Sequence, residues 1–457
     1  MNSKIKVASF ISFALLTAVP IIPAFIPDQE YTPGAQLWFD DANTVVAIPA
    51  NDNRFNALVG FFVDEDKDSI MEGVKLIEEA NKLLNDTDTV QGVADELNSY
   101  WQSPPLVIGL RFSQEQIENI ENDPVLWIHN NNGLLETSIS ENQTLLKRYD
   151  HFIGMTQYSD SLKLDIRRPT PSYGNLISVK RLNNLSIIHD YLNGNAESTE
   201  DLLQNNLDSS KLMLLQARTF SEKMVAVKFL TIDLNTISNL QNELDYNSHL
   251  NFDMANINAE ERSLVEVFKA QFASHTSHLT VANLTSNDES ISEYIENSFI
   301  KAYLKPKRIG NRDHNELLEA LKLEHMPMSE RRLQHDFNLD NYSFNLDSYS
   351  LWEKYQDPVG YVVASIARPS YLHFMDTIDH LDGLVTLVNI KRTIYSQNMN
   401  TAEIDQYISN LDPGMNSGYS GAKLIIKNQG EDAGTILTFS IPDYTEDIPS
   451  VKLVGSS

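Results

Sequence analysis

The chain has 457 residues, 42 % of them hydrophobic, and a formal net charge of −28 from 63 acidic against 35 basic side chains. A field of that sign repels phosphate backbones and anionic lipid, so nucleic acid is not expected as a partner. Cysteine is absent, which removes disulfides, thiolate metal sites and cysteine nucleophiles and leaves the apolar core to hold the fold together.

The amino terminus sets the compartment. Lys4 and Lys6 precede a run without charge from Val7 to Ile26, about the ~20 residues a helix needs to cross a bilayer core. Secretory apolar regions are usually shorter, about 7 to 15 residues, and end at a small-x-small cleavage site. Here Pro20, Pro23 and Pro27 follow instead, which favours a retained signal anchor over a cleaved signal peptide. The positive-inside rule keeps the two lysines in the cytoplasm and sends the rest of the chain across.

Residues 28–68 read as a linker with a short extended piece at Thr44 to Ile48. Ser69 to Asn85 carries Ile70, Val74, Ile77, Ala80 and Leu83 at helical spacing. Ser113 and Gln116 form a capping-box pattern for a short helix through Ile120. The run ending at Gly133 reads as a turn before a helix from Leu134 to Tyr158. Tyr173 to Leu192 is helical, "NGN" at 193–195 is a turn, and Ser198 to Asp201 reads as the cap of the next helix. Phe220 to Leu244 is helical again. Asn258 with Glu261 and Asp313 with Glu316 repeat the capping pattern before further helices. Two septets, "FNLDNYS" and "FNLDSYS", fill Phe337 to Ser350. Two units of seven are too few for a solenoid, and the stretch lacks the glycine turn and carboxylates of a calcium loop. It reads as a loop duplicated on the surface. Ser370 to Tyr395 is a long helix, and Leu424 to Ile426 with Ile436 to Ile441 signal a β-hairpin.

One constellation fits metal chemistry. His373, Asp376 and His380 stand at i, i+3 and i+7, within roughly 60° of one another on a helix, and imidazole with carboxylate suits zinc or iron. The apolar stripe of Phe374, Ile378, Leu381, Val385 and Val388 lies on another face, so the trio is expected at the solvent side. His275 and His278 lack a third ligand. The patterns of nucleotide-binding loops and serine hydrolases are missing. Trp38, Trp101, Trp127 and Trp352 are too scattered to form a groove and read as packing residues.

Two stretches carry a resemblance. "IPANDNRFNALVGF" (Ile48 to Phe61) and "DPVGYVVASIARPSYLHFMDTIDHLDGLVTLV" (Asp357 to Val388) resemble segments of uncharacterised, membrane-anchored envelope proteins of Gram-negative proteobacteria. "LDPGMNSGYSGAKLIIKN" is similar to their closing turn and hairpin. The resemblance implies anchor, helices and hairpin as one unit, and it transfers no catalytic residue.

The expectation is thus a mainly α protein: an N-terminal membrane helix, a large multi-helix extracytoplasmic domain and a small C-terminal β-hairpin. Residues 1–27 form the signal anchor or signal peptide, 28–68 the linker and entry segment, and 69–335 the helical domain. Residues 336–457 supply the surface loop, C-terminal helices and terminal hairpin packed on that domain. The chain is expected to span the inner membrane once with its bulk in the periplasm, or to be secreted there after cleavage. Its expected role is non-catalytic interaction or scaffolding with an envelope protein or cell-wall component, with no cofactor. The alternative is an envelope hydrolase, metal-assisted through His373, Asp376 and His380.

Overall fold

Helices buried on most of their faces sit at the centre of a fold, and two segments meet that condition. The computed structural model describes residues 26–86, 101, 112–165, 167–243, 254–278, 304–328, 330–331, 356, 371–411, 423–428, 435–440 and 448–453. In chain order the helices are α1 (Pro33–Asn43), α2 (Arg54–Val59), α3 (Ser69–Asp86), α4 (Gln114–Asn122), α5 (Pro124–Glu141), α6 (Gln143–Gly154) and α7 (Tyr173–Leu192). They continue as α8 (Ala196–Gln216), α9 (Phe220–Glu243), α10 (Ala259–Arg262), α11 (Val265–His278), α12 (Pro306–Glu324), α13 (Tyr371–Ser396) and α14 (Thr401–Asn410). Three strands follow: β1 (Lys423–Asn428), β2 (Thr435–Ser440) and β3 (Ser450–Leu453).

Helices α9 and α13 are the central pair and pack against each other. Ala226, Leu230, Leu234, Ile237 and Leu240 of α9 meet Leu381, Val385, Leu387, Val388 and Ile394 of α13 in the main core. Helix α8 folds back on α9 through a three-residue connection, and α7 lies across both. Helix α11 carries α1 and α12 on its outer side. A second core joins Phe55, Phe61, Ile77, Ala80, Tyr149, Phe152 and Phe229, and so binds α2, α3 and α6 to the base of α9.

The strands form an antiparallel sheet in the order β1-β2-β3. Leu424 stands opposite Phe439 and Ile426 opposite Leu437, as the hairpin reading expected. The third strand was not foreseen. It pairs Val451 with Leu437, and Leu437, Phe439, Val451 and Leu453 are buried in the main core beside α9 and α13. Along β3 burial alternates, and Val451 and Leu453 face the helices.

Several boundaries differ from the sequence reading. The stretch 28–68 holds α1, a 3₁₀ turn at Ala50–Asp52 and α2, and its side chains reach deep. Asn53 caps α2 by accepting from Phe55 N (3.1 Å) and exchanges hydrogen bonds with Ser159 backbone groups at 2.9 and 3.0 Å. Arg54, 1 % exposed, donates to the carbonyl oxygens of Met155 and Ser209 and covers the Phe152 ring. Gly60 and Gly73 let α2 and α3 touch backbone to backbone: a Cβ on Gly60 would stand 1.7 Å from Ser69 O, and one on Gly73 2.0 Å from Asn56 O. The expected turn at Gly133 is instead a kink within α5, where Asn131 leaves helical geometry (φ −131°, ψ 23°). The expected helix from Leu134 to Tyr158 is split between Glu141 and Gln143 and ends at Gly154. Ser198 lies inside α8 and donates back to Asn195 O (3.1 Å), and Asp313 lies inside α12. The capping boxes at Ser113 and Asn258 form as read, and Asn400 makes a third that opens α14. The duplicated septets at 337–350 lie outside the described residues, as does the expected anchor up to Ala24 and Phe25. Among the described residues no helix is long and apolar enough to cross a membrane.

Candidate functional site

The metal candidate comes apart along α13. Asp376 is buried and accepts from Arg331 Nη2 at 3.0 Å, His373 is exposed, and His380 is half-buried. Among the described residues no group of three histidines and carboxylates is placed to hold a metal ion. The expectation that the trio shares the solvent face fails at Asp376, because α13 is buried on more sides than its apolar stripe covers. Arg331 also binds Asp379, and Arg262 binds Asp379 and Asp382. These contacts tie α10 and Arg331 to α13, with Asp382 Oδ1 accepting from Ile257 N at 3.1 Å. Burial pushes the Asp379 carboxyl up despite both arginines.

A concave site lies elsewhere, on the outer side of α9 and α11. It is a cleft of about 250 Å³ between the loop Leu164–Tyr173, the start of α9 and one face of α11. The loop is fixed by ion pairs and short turns. Asp165 Oδ1 accepts from Arg167 N and Nε (both 2.9 Å), Oδ2 accepts from Nη2 (2.7 Å), and Arg167 Nη2 reaches Leu84 O at the end of α3 (3.2 Å). Asn81 clamps the same loop by donating to Ser161 O (2.9 Å) and accepting from Lys163 N (2.8 Å). Aspartates that accept from amides two residues on are natural turn formers.

The start of α9 is a capping box that the sequence reading passed over. Thr219 Oγ1 accepts from Glu222 N, and Glu222 Oε2 accepts from Arg218 N (2.8 Å) and Thr219 N (3.2 Å). Beneath the cleft Glu222 meets Tyr158, Tyr173, Asp160 and Arg168. Burial first, and then the Asp160 charge, push the Glu222 carboxyl up. Burial raises Tyr158 and Tyr173 well above the usual phenol range, with Glu222 adding to it. Burial opposes the Arg168 charge, yet Asp160 (2.7 Å) and Glu222 together hold its guanidinium above its ordinary pKa.

Helix α11 supplies Val267, Ala270, Gln271, Ser274 and His275 to the far wall. Its position is set by Lys269, which pairs with Asp41 at the end of α1 (3.2 Å), and by Phe268 and Phe272 in the core. Gln271 Nε2 lies 2.6 Å from His275 Nε2.

Of these wall residues the sequence singled out His275, and that only as one of a histidine pair without a third ligand. Three separate segments supply them, and only the fold brings 164–173, 219–221 and 267–275 together. The available signals were local: the Thr219–Glu222 capping pattern, and "DIRRPTPSY", a polar, proline-bearing connection between two helices. Trp38, Trp101 and Trp127 are buried, in keeping with packing roles; Trp352 lies outside the described residues.

No family model matches the chain, and neither a curated protein nor a solved structure matches it.

Proposed function

We propose that the protein is a non-catalytic interaction module of the cell envelope, held on the extracytoplasmic side by its first 27 residues, and that the α9–α11 cleft is where its partner binds. The observation that carries this reading is the cleft itself. It is a preformed concavity with mixed apolar and hydrogen-bonding walls, built on helix ends and a pinned loop, which is the general form of a ligand site. Arg167 is paired with Asp165 and Arg168 with Asp160, and one carboxylate oxygen of Glu222 accepts from the amides of Arg218 and Thr219 just ahead of α9. Such mutual pairing favours holding over proton transfer, since a general acid or base must turn toward its substrate.

The absence of cysteine offers a direct experiment. A single thiol from Ser221→Cys on the cleft rim carries a photo-cross-linker, and one from Thr137→Cys, exposed on α5, serves as the control site. In cells of the native host, position 221 is expected to give a discrete cross-linked species in the membrane fraction that position 137 does not give. Equal yields at both positions, or a product confined to the soluble cytoplasmic fraction, contradict the proposal.

A further inference from the structure

The chemistry of the cleft walls narrows what the cleft takes. We infer that the cleft accommodates one uncharged sugar ring, as a unit of a neutral glycan. This inference rests on the reading of the cleft as a binding site and adds the class of ligand.

Charge comes first. The arginines and aspartates around the cleft form two internal pairs, Arg167–Asp165 and Arg168–Asp160, each at 2.7 Å. Arg168 Nη2 is taken up by Asp160, while its buried Nη1 has no hydrogen-bond partner among the described residues. An ionic ligand would find most of the surrounding charge already matched, whereas a neutral hydroxyl can accept from that single guanidinium N–H without a charge of its own. The net charge of −28 further disfavours anions.

Hydrogen bonding comes second. Thr170, Ser221 and Ser274 line the cleft from three different segments, and their hydroxyls make no hydrogen bond to another described residue. A hydroxyl both donates and accepts. A wall of hydroxyls therefore matches a ligand whose own groups do both, as sugar hydroxyls do. A hydrocarbon would seal these groups away from water unpaired, at about 1–3 kcal/mol for each.

Shape comes third. Between the polar groups the walls are Leu164, Pro169, Pro171, Val267, Ala270 and the Tyr173 ring. These surfaces suit the C–H face of a pyranose, which is apolar while its rim is hydroxylated. At about 250 Å³ the cleft falls below the ~300–1,000 Å³ of sites for drug-sized molecules, so one ring fits inside and neighbouring units run along the open rim.

The test is calorimetric titration of the full chain in detergent with glucose, galactose, mannose, N-acetylglucosamine and the β-1,4-linked tetramer of the last. Acetate and inorganic phosphate are the charged comparisons. At least one neutral sugar is expected to bind and both anions to fail. Ser274→Trp, which fills the far wall, is expected to weaken that binding at least about tenfold, or ~1.4 kcal/mol. Thr170→Trp on the facing loop does the same if the first variant loses its helical circular-dichroism signal. Binding of acetate or phosphate in place of the sugars, lost in Ser274→Trp, overturns the sugar assignment and leaves the cleft as a binding site. Sugar binding unchanged in both folded variants overturns the location. No binding by any probe overturns the inference, and position-specific cross-linking at residue 221 then decides separately whether the cleft binds a partner at all.

Discussion

Lys391 gives the sharpest quantitative prediction. Its side chain is fully buried between α13 and α9, where Nζ donates to Ser238 O (2.7 Å) and Ser238 Oγ (3.1 Å) and lies over the Tyr395 ring. Burial first, and then the positive charge of Lys452 on β3, lower its pKa from 10.5 to about 7. In the unfolded chain the amine takes up its proton as pH falls through 10.5, whereas in the folded chain it resists until about 7. The contribution is therefore complete above 10.5, declines by about 1.4 kcal/mol per pH unit on the way down, and levels off below 7. Over the full interval the loss is on the order of 5 kcal/mol, and between pH 9 and pH 7 it is about 3 kcal/mol. Lys391→Met keeps the apolar stem and removes the titration. Urea unfolding followed by far-ultraviolet circular dichroism at pH 6, 7.5 and 9 is the assay. The variant's stability should rise from pH 6 to pH 9 by about 3 kcal/mol less than that of the native chain. Loss of the two hydrogen bonds to Ser238 shifts the variant by a roughly constant amount at every pH, so the difference in slope is the readout. Parallel pH profiles for the two proteins would refute the reasoning.

Other substitutions test other contacts. Arg331→Met removes the guanidinium that Asp376 and Asp379 share in the core and should cost about 3–5 kcal/mol by urea unfolding, because two buried carboxylates lose a partner. Glu222 has a raised folded-state pKa, so its contribution is fully present below its unfolded value near 4.5 and is lost as pH rises through the folded value. Glu222→Gln keeps an oxygen for the amides of Arg218 and Thr219, and should be more stable than the native chain at pH 8 but not at pH 4. Glu222→Ala loses the cap, and about 0.5–2 kcal/mol. Gly60→Ala should lower the thermal midpoint by several degrees, since its Cβ would meet Ser69 O at 1.7 Å and the backbone must move apart at a cost of about 1–3 kcal/mol; an unchanged midpoint would deny the close approach of α2 and α3.

The helices that local pattern alone decides were legible in the sequence. The ends of α3, α7 and α9 follow from period and turn residues, and the capping boxes at Ser113 and Asn258 formed because each joins two amides to two side chains within a single turn. Where the same residue types stood at Ser198 and Asp313, tertiary packing carried the helix through them. Helix α13 shows why burial was harder to read than helicity. Asp376, Asp379 and Asp382 look like a solvated face until Arg262 and Arg331 arrive from more than 40 residues away to neutralise them. The same distance in sequence hid the cleft, whose walls share no period or motif. Asn53 and Gly60, within the segment that carried the resemblance, have a physical account in the cap on α2 and its contact with α3.

The most direct measurement of the central claim is affinity capture from the native membranes with the intact protein and its Ser274→Trp variant side by side. The account predicts one or more components retained by the native chain and missing from the folded variant. Identical sets of retained components would contradict it, and would move the partner's contact away from the α9–α11 cleft.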